Sequence, residues 1–458
     1  MNTIAKRAKI LYIIVAVFAA GLVFLAATFI VNGDTYATNT RNQHIYSGNV
    51  LISGGRVLDR NGEVLTAVEN GSRVYNTDSV IRRATLHVLG ESGYIAGGVL
   101  EQYSAELIGY NLITGVFTAT EQGGNDVRLT LDASLCADAY RALDGQKGTV
   151  GVYNYQTGEL VCMVSTPAYD PENKPADIDE NEDYDGAYLN KFLYGQYVPG
   201  STFKVVTAVC AVENMPDVLT RTFSCTGEYN AADGTVICND THGTLTFQQA
   251  FNQSCNSVFA QLADELGAEK MTATAQALGV TESLAVNRLN TARGSYDVSG
   301  ASQADLGWSG IGQYTDMVNP CNMMTLAGAI ANGGTAHIPY YVDGVYSADG
   351  IEILDETGTA TRTYMSSATA SVLKNLMRTT VTDYYGESYF PDMEMCAKTG
   401  TAEVGEEQRP HSWMIGFSQR EDFPYAFAVV VENGGSGYYT AGAVASDVMA
   451  SLWDIVME

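Results

Sequence analysis

The chain has 458 residues, 46% hydrophobic and 17% charged, with 52 Asp+Glu against 25 Lys+Arg and a formal net charge of −27. Such a composition supplies a sizeable apolar core and excludes a disordered chain. So acidic a surface repels phosphate backbones and anionic headgroups, which argues against nucleic acid as a partner.

Lys6, Arg7 and Lys9 precede an uncharged apolar run from Ile10 to Val31. As a helix these 22 residues rise about 33 Å, enough to cross a hydrocarbon core of about 30 Å. The run exceeds a signal-peptide core and no small-x-small cleavage site follows, so it reads as a transmembrane anchor. Basic residues ahead of the span predict a cytoplasmic tail (residues 1–9), an anchor (10–31) and an extracytoplasmic remainder.

Residues 32–146 read as a polar stalk followed by a small accessory domain, or pedestal. Asn61-Gly62 between two apolar stretches predicts a hairpin, and Asp126 to Asp144 predicts a strand leading into an amphipathic helix. The main domain, 147–458, opens with a predicted hairpin: Gly148 to Tyr155, a Gly-containing turn, then Leu160 to Ser165. The acidic stretch Asp177 to Asp185 is expected to be a solvated loop. Helical patterns follow over Thr202 to Glu213, over Leu245 to Gly267 with a break at Ser254 to Asn256, and over Asn322 to Ala331. Strand patterns return at Met395 to Thr401, Ser412 to Ser418 and Tyr425 to Glu432, and a helical one closes the chain at Ala441 to Val456. Strands at both ends of one domain with helices between predict an α+β fold, in which an antiparallel sheet drawn from distant segments is flanked by helices.

Cys136, Cys162, Cys210, Cys225, Cys238, Cys255, Cys321 and Cys396 are scattered, with no C-x-x-C pair, and most read as small buried hydrophobes. Cys225 and Cys238 differ, because Asp240 and His242 follow closely. Free thiols, a disulfide, or a four-ligand metal site with Asp240 and His242 all fit, although the spacing matches no standard zinc pattern. The expectation is that no metal is held, these four being the candidates otherwise.

Three short patterns carry chemistry: Ser201-Thr202-Phe203-Lys204 after Pro199-Gly200, Ser254-Cys255-Asn256, and Lys398-Thr399-Gly400-Thr401. Pro-Gly halts regular structure, so Ser201 lies at the first turn of a helix, where unpaired N–H groups favour a developing anion. Lys204, three residues on, shares its face and is placed to take the hydroxyl proton if burial keeps its amine neutral. Ser254 and Asn256 share a face only where the helix is broken; there they can relay a proton and hold a substrate amide. On a strand, Lys398 and Gly400 point to one side and Thr399 and Thr401 to the other, a cation beside hydroxyls that suits a carboxylate. A second Ser-x-x-Lys, Ser371 to Lys374, lies mid-helix without a Pro-Gly lead-in, so it is read as coincidental. The five histidines supply no G-x-S-x-G partner, and Asn433 to Gly437 lacks the residues of a phosphate loop.

In this order the three motifs, with Tyr197-Val198-Pro199-Gly200, Gly307 to Gln313 and Ser412 to Phe417, resemble class B (monofunctional) penicillin-binding proteins. The resemblance covers about 147–458 and the anchor region. It implies the penicillin-binding transpeptidase, serine β-lactamase-like fold and D,D-transpeptidation of peptidoglycan stem peptides through a Ser201 acyl-enzyme, open to trapping by β-lactams. Lys204 would be the base, Ser254, Asn256 and Lys398 further catalytic residues, and Thr399, Gly400 and Thr401 would bind substrate. Backbone N–H groups of Ser201 and Thr401 would form the oxyanion hole. No cofactor is implied, and the implied partner is a polytopic membrane glycosyltransferase. A D,D-carboxypeptidase, a β-lactamase, or a non-enzymatic penicillin-binding sensor or scaffold would use the same residues.

Overall fold

The computed structural model describes every residue except 1, 49, 92, 113–123, 406 and 458. Helix α1 (Asn2–Ala37) contains the apolar run and is long and apolar enough to cross a membrane. None of that window is buried against the rest of the chain, so its apolar surface faces outward.

After α1 come β1 (Val57–Leu58), β2 (Val64–Glu69) and β3 (Ser72–Tyr75), then α2 (Ser79–Leu89), whose first turn is capped by the Asp78 side chain accepting from Val80 N. Strand β4 (Asp126–Leu129) and helix α3 (Ala133–Ala142) follow. The main hairpin is β5 (Gly148–Asn154) and β6 (Leu160–Thr166). Helix α4 (Lys204–Asn214) continues a single 3₁₀ turn, Gly200–Phe203. Four short strands, β7 (Thr222–Cys225), β8 (Glu228–Asn230), β9 (Thr235–Ile237) and β10 (Gly243–Thr246), lead into α5 (Phe247–Asn252) and α6 (Asn256–Ala277). The rest comprises α7 (Pro320–Ala331), β11 (Val342–Tyr346), β12 (Glu352–Asp355), α8 (Ser367–Thr380), β13 (Met395–Ala402), β14 (His411–Ser418), β15 (Tyr425–Val431) and α9 (Gly442–Met457).

The main sheet is wholly antiparallel, in the order β13-β14-β15-β5-β6, so its strands come from both ends of the domain. Strands β6 and β15 are buried at every residue, which requires cover on both faces. Helix α7 packs against β14, β15 and β5, while α3 and α9, packed on each other, cover β6 and β15. Strand β13, which carries Lys398 to Thr401, is the sheet's edge, so one side of its backbone is open to a ligand.

A second, mixed sheet has the order β12-β11-β4-β1-β2-β3, with β1 and β4 parallel. It joins strands before residue 130 to two from the 342–355 segment, so the N-terminal region and the main domain share a sheet. A buried ion pair also ties the two regions, Arg82 on α2 meeting Asp170 at 2.6 Å. That guanidinium holds the Asp170 carboxyl down at about 2.

The predicted helix over Leu245 to Gly267 is broken where expected: Ser254 adopts φ +54° between α5 and α6. Its start differs, because Leu245 pairs with Phe223 in a β-hairpin and α5 begins only at Phe247, behind a capping box of Thr246 and Gln249.

Candidate active site

The turn that presents Ser201 is seated on backbone. Gly200 has φ +53°, and a Cβ there would stand 2.6 Å from Thr401 O; Gly312, at φ +78°, faces it so closely that a Cβ would meet Gly200 O at 2.1 Å. Gly200 N donates to Gly312 O at 2.9 Å. Upstream, Tyr197 exchanges backbone hydrogen bonds with Val318, and the Trp413 indole N–H donates to Val198 O at 3.0 Å. The nucleophile turn is thereby clamped between β13, β14 and the loop around Gly312.

Lys204 is fully buried at the start of α4, one helical turn after Ser201, and its Nζ lies 3.0 Å from Ser201 Oγ. The same nitrogen lies 2.5 Å from Ser254 O, 3.0 Å from Ser254 Oγ and 2.7 Å from Asn256 Oδ1. Burial pulls the Lys204 amine down to about 7, so near neutral pH a substantial fraction is uncharged and able to accept a proton. Lys398, also fully buried, places its Nζ 3.0 Å from Ser254 Oγ and 2.9 Å from Thr399 O. Burial first, and the Lys204 charge second, push it well below an ordinary lysine.

These side chains open into a cleft of about 660 Å³ lined by Ser201, Ser254, Asn256, Thr399 and Thr401. Gly400 lies behind it, where a Cβ would approach Pro199 O at 2.7 Å, and Thr401 Oγ1 accepts from Gly437 N at 3.2 Å. All eight residues expected to form the site are therefore gathered in one place. Ser371 is not among them: it is exposed on α8 and lines a separate cleft with Gln248 and Asn375.

Several residues of the cleft carried no sequence signal. Tyr385 OH accepts from Thr399 N at 3.0 Å and shares a hydrogen bond with Thr399 Oγ1 at 2.8 Å, fixing the strand segment that faces the cleft. Tyr438 stacks on Tyr389 and donates to Tyr385 O, while Tyr384 and Tyr439 stand exposed on the rim with Glu403. The tyrosine doublets 384–385 and 438–439 were the only local hint.

The cysteines are buried and free, as most were expected to be, while the disulfide alternative and one member of the metal quartet need correction. No disulfide is present among the described residues, and all eight thiols are unpaired and buried. The candidate quartet is wrong in one member: Cys225, Cys238 and His242 do meet, but Asp240 is exposed and its carboxylate accepts from its neighbour Thr241 N. The fourth member is Cys255, the middle residue of Ser254-Cys255-Asn256, brought in by the turn of α5 into α6.

A Ser-x-x-Lys with its lysine buried, a Ser-x-Asn at a helix break and a Lys-Thr-Gly on an edge strand are the set shared by penicillin-binding proteins and serine β-lactamases. A family model described as the penicillin binding protein transpeptidase domain matches residues 148–452, and the chain belongs to that family. Within it, the chain is a class B member, similar to the peptidoglycan D,D-transpeptidase PbpA of Mycolicibacterium smegmatis, with 31% identity over 72% of each chain. Among solved structures, it resembles the D,D-transpeptidase domain of a peptidoglycan glycosyltransferase from Eggerthella lenta, with a TM-score of 0.75, 28% identity, and coverage of 88% of this chain and 99% of that one. It also shares its fold with penicillin-binding protein A from M. tuberculosis in a penicillin G acyl-enzyme complex, with a TM-score of 0.74, 24% identity, and coverage of 89% and 100%.

Proposed function

We propose that the chain is a peptidoglycan D,D-transpeptidase working through an acyl-enzyme on Ser201, with β-lactams as trapping substrate analogues. The observation that carries this reading is the continuous hydrogen-bonded line Ser201–Lys204–Ser254–Lys398, anchored on a lysine that burial brings to about 7.

Lys204 takes the Ser201 proton as Oγ attacks the penultimate D-Ala carbonyl of a stem peptide. The oxyanion is met by the N–H groups of Ser201 and Thr401, a contribution of about 3 kcal/mol in acyl transfer. Collapse of the adduct breaks the peptide bond, and the proton passes through Ser254 to the departing D-Ala amine. Lys398 keeps the Ser254 hydroxyl in line and lends positive potential for the terminal carboxylate, with Thr399 and Thr401 as hydrogen-bonding partners. Asn256 and the open edge of β13 hold the donor backbone. The amine of a neighbouring stem then attacks the ester, its proton returns through Lys204 to Ser201, and the cross-link is released.

The chain is held at a membrane by α1. Its basic flank orients the tail (1–9) to the cytoplasm, with the anchor at 10–31, the pedestal at 32–146 and the transpeptidase domain at 147–458 outside. The pedestal borrows strands β11 and β12, and its natural partner is a polytopic membrane glycosyltransferase that supplies the glycan strand. Labelling with a fluorescent penicillin tests the assignment: Ser201→Ala abolishes it and Ser371→Ala leaves it intact, whereas a labelled Ser201→Ala protein refutes the mechanism.

A further inference from the structure

A cavity of about 320 Å³ lies where α1 meets the pedestal and shares no lining residue with the catalytic cleft. Its walls come from the end of α1 and the turn after it, from the paired strands Tyr46–Ser47 and Val50–Leu51, from β3, and from the segment after α2. The volume falls at the lower end of the range for small-molecule sites, about 300 to 1,000 Å³.

Arg73, on β3, gives this cavity its chemistry. Its Nε donates to Leu51 O at 2.7 Å and its Nη1 to Thr66 Oγ1 at 3.2 Å, both uncharged acceptors, while Nη2 is buried with no partner among the described residues. Buried cations are almost always paired, because leaving water without a counter-charge is costly. Burial pulls Arg73 down to about 10, so at neutral pH it is still a cation. The carboxylates of the cavity do not answer it. Glu91 is matched by Lys174 at 3.1 Å, and Glu101 stands exposed, accepting from Gly97 N at 2.9 Å. The cavity therefore presents an unmatched cation inside and an unmatched carboxylate where it opens to solvent.

Helix α1 sets the depth of the cavity. Its apolar run ends at Val31, and Gly33 seats the helix against the pedestal, since a Cβ there would run into the Tyr110 hydroxyl. Thr35, the first residue of the cavity wall, stands just over one helical turn beyond Val31, about 6 Å farther along the axis. The headgroup layer on each side of the hydrocarbon core is about 5 to 8 Å thick. The α1 side of the cavity thus lies at the level of lipid phosphates.

We propose that the cavity holds the headgroup of a zwitterionic aminophospholipid, its phosphate on Arg73 and its ammonium on Glu101. A guanidinium with an unused N–H suits a phosphate oxygen, and Asn39 and Thr40, exposed at the rim, add amide and hydroxyl donors. Leu51 and Leu100 give apolar wall to the glycerol and the first acyl carbons. Glu101 decides between lipids. It attracts an ethanolamine ammonium, which donates hydrogen bonds, over a choline, which has no N–H to donate. A net-anionic headgroup is repelled by Glu101 and by a chain of net charge −27. The bound lipid ties β3 to the membrane beside α1 and restrains the swing of the pedestal about its anchor.

This lipid site stands apart from the transpeptidase reading. Released from nanodiscs made of equal parts of phosphatidylethanolamine, phosphatidylcholine and phosphatidylglycerol, the full chain is expected to keep one phosphatidylethanolamine, read by native mass spectrometry. Arg73→Gln should keep roughly 10- to 100-fold less, the usual effect of losing a hydrogen bond to a charged group. Glu101→Gln should keep a phospholipid but no longer prefer ethanolamine over choline. Both variants should take fluorescent penicillin like the wild type, which separates loss of lipid from loss of fold. A wild-type chain that keeps no lipid, keeps the three without preference or keeps phosphatidylglycerol best overturns the proposal, as does a folded Arg73→Gln chain that keeps the lipid in full. If Arg73→Gln does not fold, Glu101→Gln decides: an unchanged preference for ethanolamine overturns the assignment. Soluble phosphoethanolamine that protects the delipidated chain against heating as well as the lipid does would make the ligand a free phosphoester and overturn the lipid source.

Discussion

Lys204 and Lys398 meet at one hydroxyl: each Nζ lies 3.0 Å from Ser254 Oγ. Burial disfavours the charged form of both amines, and at Lys398 the Lys204 charge adds to it, so both titrate below an ordinary lysine.

The consequence is a pH profile. Lys204 is a base only when neutral, so the acylation rate should rise with pH through a midpoint near 7 and level off above it. Stopped-flow acylation by a β-lactam across pH 5 to 9, taken as a working range around that midpoint, measures this. A flat profile would remove Lys204 as the base. Lys204→Arg, which cannot be neutralised, should be inactive at every pH.

Tyr385 supports Thr399 through two hydrogen bonds from one phenol oxygen. Tyr385→Phe keeps the ring packing and removes about 1 kcal/mol per bond. Acylation efficiency should fall roughly 5- to 30-fold on that basis, with a fall of only a few degrees, roughly, in melting temperature.

Gly200 and Gly62 share a left-handed backbone but not a neighbourhood. A Cβ at Gly62 meets nothing within 4 Å, whereas one at Gly200 meets Thr401 O at 2.6 Å. Gly62→Ala should cost only the left-handed penalty of about 1 kcal/mol. Gly200→Ala should cost more, because backbone must move, and acylation should be lost as Ser201 is displaced. Thermal unfolding and penicillin labelling of the two variants separate the contributions.

Asp170 is held down at about 2 by Arg82. Because its folded value lies below the unfolded one of about 3.9, the stabilisation is fully present above about pH 5 and is lost as pH falls toward 2. Asp170→Asn should therefore cost on the order of 2 kcal/mol at pH 7, with the gap to wild type closing below about pH 4. Denaturant unfolding at several pH values checks the closure.

The chemistry was legible where it is local. Ser201 and Lys204 are one helical turn apart, and the break at Ser254 showed in the pattern that required Ser254 and Asn256 to face one way. All five strands of the main sheet could be read because apolar runs of strand length ended in turns. Tyr385 could not be placed, since its bond to Thr399 exists only where the segment after α8 crosses β13. Likewise nothing in the sequence sets Cys255 apart from the other buried thiols. Its companions lie on ribbons whose approach is a tertiary event, and Asp240, nearer in sequence to His242, had no spatial claim. Strands β11 and β12 join a sheet begun near residue 57, a partnership that no periodicity reveals.

The backbone seating of Gly200 against Thr401 and Gly312 bears on drug escape. Gly200, Gly312 and Gly400 have no room for a larger side chain, and in the proposed mechanism Ser201, Lys204 and Lys398 carry the acylation itself. Resistance substitutions in this enzyme should therefore gather on the rim, at Tyr384, Glu403 and Tyr439, where bulk and charge can change without moving the nucleophile.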